Sequence, residues 1–155
     1  MLRAILAVIA GYAAMFIVVA LGLTLAYLAL GPDWAYQAGT YDITPRWGIL
    51  MLAAGLLAAI LGGVACALIA KRSRNPVFAL IAAIVVLSAL SAAYQLSQPA
   101  PEDTTRAEND SVTDAANKAR QPLWTLIANP IIGAVGVFLG AALVGTPLRS
   151  ADTDQ

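Results

Sequence analysis

The stretch WGILMLAAGLLAAILGGVACALIAKRSRNP, residues 47–76, decides the fold. From Trp47 to Ala70 it runs for 24 residues without a charge, then meets the basic run Lys71-Arg72-Ser73-Arg74 and Pro76. At 1.5 Å rise per residue, about 20 helical residues cross the roughly 30 Å hydrocarbon core of a bilayer. A bilayer also forces such a run to be helical, because each backbone N–H and C=O must find its partner within the segment. The stretch reads as a spanning helix closed by a basic stop.

Three further apolar runs lie around it, at 4–30, 76–96 and 123–145. The expected architecture is all-α: an integral membrane protein with four transmembrane helices in an antiparallel bundle, making a single membrane domain over 1–155. Composition agrees. Only 12% of residues are charged, against about 25% in a soluble domain, whose surface needs charge to stay dispersed. The first run is about twice as long as the apolar region of a signal peptide, so it reads as an uncleaved span.

The connections follow from the chain's punctuation. Gly31-Pro32 stops the first helix, and 31–46 reads as a loop rich in tryptophan and tyrosine. Only residues 71–75 join the second and third helices, which makes these two expected antiparallel neighbours. Residues 97–122 form a polar extracytoplasmic loop, with a short helix over 114–121 capped by Thr113.

Orientation rests on where the positive charges fall. With the N-terminus inside, Arg3, Lys71, Arg72, Arg74 and Arg149 face the cytoplasm, and Arg46, Arg106, Lys118 and Arg120 face out. The totals nearly cancel, so the topology signal is Lys71, Arg72 and Arg74, concentrated in one short loop where the rule works best. Tyr27, Trp34, Tyr36, Tyr41, Trp47, Tyr94 and Trp124 all fall at the opposite face, as rings suited to a headgroup zone. The expected location is the bacterial inner membrane, with both termini cytoplasmic.

Helices in lipid gain little from apolar burial, so small residues mark the faces where backbones approach. The second helix carries Gly55, Ala59, Gly63 and Ala67 at four-residue spacing, with Ala54, Ala58, Gly62, Cys66 and Ala70 alongside. The fourth carries Gly133, Gly136 and Gly140, and the first Ala4, Ala7, Gly11 and Ala14. The glycine face of the second helix is expected to meet the Gly133–Gly140 face of the fourth; packing within one bundle is one reading of that contact, and an interface between copies is the other.

Candidate chemistry is sparse. Asn129-Pro130 is a possible polar intramembrane site, because Pro130 withholds an N–H from the carbonyl of residue 126 and the helix is expected to kink or break there. Ser88, Ser91 and Thr24 are the hydroxyls that could join it. No acidic, basic or histidine side chain lies within a span, which argues against proton-coupled carriers and intramembrane proteases. With no histidine and the single Cys66, no metal site, cofactor or catalytic residue is expected, and balanced charge suggests no nucleic-acid partner. The expected partners are the lipid bilayer and a second copy or another membrane protein.

The segments YLALGPDWAYQAGTYDITPRWGIL, GGVACALIAKR and PLWTLIANPIIGAVGVFLGAAL resemble small four-helix inner-membrane proteins of proteobacteria. The resemblance covers most of the chain except 97–121. It implies a bacterial plasma membrane and no particular activity. A non-enzymatic structural or accessory role is the expected function, with a passive channel or carrier subunit for a small neutral solute as the alternative. A periplasm-active reporter fused after Gln155 is expected to stay silent; an active one inverts the topology.

Overall fold

The computed structural model describes residues 2–97, 114, 118–119 and 122–146. The expected polar loop 97–122, most of the helix expected over 114–121, and the tail bearing Arg149 lie outside the described residues. Four long helices are present: α1 (Leu2–Leu30), α3 (Pro45–Ile69), α4 (Arg74–Ser97) and α5 (Leu123–Leu143), with the one-turn α2 (Pro32–Ala35) between the first two. All four are long and apolar enough to cross a membrane.

Local chemistry sets their ends. Thr44 caps α3: its Oγ1 accepts from the Trp47 N–H at 3.2 Å, and Pro45 follows in the first turn, where a missing N–H costs nothing. At the other end the Arg72 N–H bonds to the Ala67 carbonyl and the Lys71 N–H to that of Leu68. This is a Schellman closure. α5 ends the same way, with Thr146 N–H on Ala141 and Gly145 N–H on Ala142. Gly145 takes φ +73°, so the helix turns off at Leu143, short of the expected 145. α3 makes the equivalent turn with Lys71 at φ 53° and Arg72 at φ 62°.

α3 is the hub. One row of its small residues faces α1: a Cβ at Gly11 would stand 2.9 Å from the Gly62 carbonyl oxygen and from Cys66 Cβ. The adjacent row faces α5: a Cβ at Gly136 would stand 2.5 Å from Ala59 Cβ, and one at Gly140 would collide with the Ile60 carbonyl. Ala58, Ala59, Gly62, Gly63, Cys66 and Ala67 are all buried. Backbones this close gather many weak dispersion contacts, and a methyl group is already too large for the gap.

Two expectations about packing change. Gly55 has open space where its Cβ would be, so the close row begins at Ala59. The short turn 70–73 does not make α3 and α4 close neighbours. α3 packs chiefly on α1 and α5, and α4 lies against α5 and α1. A short turn restrains only helix ends, whereas close approach needs small residues on both sides. The buried face of α4 instead presents Val77, Leu80 and Ile84. Gly133 receives that face, with Ile84 Cγ2 3.0 Å from where its Cβ would be.

Gly136→Leu is expected to destabilise the protein by roughly 1–3 kcal/mol through overpacking against Ala59. Gly55→Leu is expected to leave stability within about 0.5 kcal/mol. Thermal unfolding of the two variants in one detergent checks the contrast.

Candidate functional site

Among the described residues the helices leave a partly polar wedge. α4 buries Pro76, Val77, Leu80 and Ile84, and none of its residues beyond Ile84 is buried. Its second half therefore stands off from α1 and α5. The opening is a cleft of about 390 Å³, within the roughly 300–1,000 Å³ of small-molecule pockets.

Ser88, Ser91 and Gln95 line it from α4, at positions i, i+3 and i+7 that share one helical face. Leu126 and Asn129 line it from α5, and Tyr12 and Phe16 from α1. Gln95 Nε2 donates to Ser91 Oγ at 3.3 Å. Among the described residues, no hydrogen bond engages the Asn129 amide or the Ser88 hydroxyl. α5 stays helical through Pro130 and does not break there. The proline still has no N–H to give the Leu126 carbonyl, four residues back on the same wall. The cleft thus offers neutral donors and acceptors, and among the described residues no Asp, Glu, Lys or Arg lines it.

Asn129, Ser88 and Ser91 thus line one space, while Thr24 is exposed and is not among its lining residues. Gln95 and Tyr12 escaped the sequence reading. The Ser88-Ser91-Gln95 spacing was the available signal for Gln95; nothing local marks Tyr12.

A second feature caps the bundle end where α1 finishes and α3 begins. The segment 31–46 was expected to be a plain loop, but it folds. Tyr36 and Ile43 form a β-bridge, the Thr44 N–H bonds to the Ala35 carbonyl, and Thr44 Oγ1 donates to the Trp34 carbonyl at 2.7 Å. Tyr27 meets Tyr36 and Trp47 edge-on, Trp34 meets Trp47, and Tyr36 meets Tyr41, with centroids 6.2–6.5 Å apart. Tyr36, Tyr41 and Trp47 are buried, so these rings build a cap at that end. Tyr94 and Trp124 remain exposed. Lys118 Nζ donates to the Tyr41 hydroxyl at 3.2 Å and sits 5.2 Å from its ring centroid, a position suited to a cation–π contact.

The opposite end is basic. Lys71, Arg72 and Arg74 are exposed there, and Arg3 Nε donates to the Ile69 carbonyl at 2.7 Å. A cation beside the last carbonyls of α3 complements the negative end of the helix dipole. Thr146, at the end of α5, is buried with no partner for its hydroxyl among the described residues.

The chain matches no protein-family model, no curated protein and no solved structure. The reading of the wedge rests on its own residues.

Lys71 occupies a left-handed position that glycine fills at Gly145. Lys71→Gly is expected to raise stability by about 0.5–1 kcal/mol, because the Cβ penalty there disappears. Thermal unfolding in detergent checks the sign.

Proposed function

We propose that the chain is a four-span membrane protein of the bacterial inner membrane, with its long helices in an antiparallel bundle and both termini in the cytoplasm. Its role is structural or accessory and non-enzymatic, exercised on another membrane protein or on a second copy of itself. The observation that supports the membrane placement is an inverted size pattern. The large apolar chains point outward on every long helix, with Phe16 69%, Ile49 68%, Leu90 62% and Ile127 68% exposed. The interior is built mostly from Ala and Gly, and its largest fully buried side chains are Leu80, Val77, Val137 and Cys66. A soluble bundle does the reverse, burying its large residues to gain from the exclusion of water. In lipid that gain is absent and close backbone approach takes its place.

Pairs along α1 and α3 run in opposite order, Arg3 with Ile69, Gly11 with Gly62 and Tyr27 with Trp47, which supports the antiparallel sense of that pair. Pairs along α3 and α5 run in the same order, Gly48 with Trp124 and Ala59 with Gly136, as up-and-down connectivity requires of alternate spans. The basic turn at 71–74 supports the cytoplasmic side for that end.

A second reading, a passive channel or carrier subunit for a small neutral solute, is favoured by one observation: the uncharged polar wedge around Asn129. The experiment that separates the two is purification in mild detergent followed by native mass spectrometry and solute uptake in proteoliposomes. The structural role predicts a copurifying chain or a defined oligomer, with no flux above empty vesicles. Flux that is lost in Asn129→Ala contradicts it.

A further inference from the structure

We propose that the wedge between α1, α4 and α5 is a binding site for one neutral-headed, single-chain amphiphile of the monoacylglycerol type. The inference rests on the membrane placement proposed above and is independent of the structural role. Three observations carry it.

The first is the unmet hydrogen-bonding capacity of the wall. The Asn129 amide and the Ser88 hydroxyl have no hydrogen-bond partner among the described residues, and Asn129 is exposed. Asn129 lies six residues into α5, about 9 Å along its axis, which is inside the hydrocarbon of the proposed bilayer. Polar groups left unpaired in an apolar medium carry a cost of kilocalories each. A ligand that brings hydroxyls removes it.

The second is the shape beyond the polar wall. A second groove, also of about 390 Å³, continues along the α1–α4 seam and shares Tyr12, Phe16 and Leu87 with the wedge. Its other walls include Val8, Ile9 and Ala83. A compartment with a polar wall of Ser88, Ser91, Gln95 and Asn129 therefore adjoins an apolar trough between two helices. A free polar solute would use the first and leave the second empty, whereas an amphiphile fills both. One trough accommodates one chain.

The third is charge. Among the described residues, no Asp, Glu, Lys or Arg side chain lines either compartment. An anionic or cationic headgroup would lose hydration without a counter-ion, at a cost a neutral polyol does not carry. The amide of Asn129 and the amide–hydroxyl pair Gln95–Ser91 supply both donors and acceptors for vicinal hydroxyls.

The test uses the full chain in phosphatidylcholine nanodiscs, with 1-monooleoylglycerol as probe and native mass spectrometry as readout. One bound molecule per chain is expected. Asn129→Ala and Gln95→Leu are each expected to weaken binding tenfold or more, with unfolding midpoints unchanged. Ala83→Phe, which blocks the trough from the apolar side, should weaken it comparably. Oleate should bind at least tenfold less well, and glycerol alone should not compete. Any of three results overturns the proposal: no binding by the native chain, full binding by both polar variants, or glycerol competing as well as the monoacylglycerol. A native dimer that Asn129→Ala turns into a monomer also overturns it, because the wedge would then be a seat for a second copy.

Discussion

Everything in this structure depends on how closely α3 approaches two other helices at once. The approach is possible because two adjacent rows of its surface carry almost nothing beyond Cα or Cβ. Gly62 and Cys66 lie against Gly11 on α1, and Ala59 and Gly63 lie against Gly136 and Val137 on α5. Each contact is small, but dispersion summed along two seams replaces the exclusion of water that holds a soluble core together. The geometry leaves no slack: added Cβ atoms at Gly63, Gly136 and Gly140 would meet backbone or Cβ atoms of the facing helix. α4 has no comparable seam with α3. It is held over its first half by Val77, Leu80 and Ile84, and the polar wedge opens where that hold ends.

The aromatic cap complements this arrangement. Small residues bring helices together without fixing their register along the axis. The folded segment 31–46 ties the end of α1 to the start of α3 through edge-on ring contacts and the Thr44 bonds. At the other end, Arg3 ties the start of α1 to the last carbonyls of α3. The α1–α3 pair is thus pinned at both ends, while α4 is attached by a turn and half a face.

Much of this was legible in the sequence, for reasons that can be named. Span boundaries follow from prolines, glycines and charges, and the helix ends lie close to those markers: Gly31-Pro32, Pro45, Arg74 and Pro122. The small-residue rows were visible, and so was Asn129. The glycine face of α3 was matched to the Gly133–Gly140 face of α5, and Gly136 does lie against Ala59; the sequence left open whether those faces meet within one chain and which row α1 takes, because Ala59 and Gly62 lie one row apart. The proximity of α3 and α4 was inferred from turn length, a constraint on helix ends that says little about the length of a seam. The cap was missed because its hydrogen bonds join Ala35, Trp34 and Thr44 across a turn at Gly39, without the alternation that marks a longer hairpin. Gln95 was missed because a glutamine near a helix end reads as boundary. Only its register with Ser88 and Ser91 gives it a place in the wedge.

The central claim is that α3 and α5 of the same chain meet through Ala59 and Gly136. The most direct measurement is cross-linking of Gly48→Cys with Trp124→Cys, a roomier pair on the same α3–α5 seam, by a short bismaleimide in a Cys66→Ala background, read on denaturing gels and by intact mass. The account predicts a cross-link that forms within single chains, giving a monomer heavier by one linker. A cross-link that appears only as a covalent dimer would contradict it and assign the seam to an interface between copies.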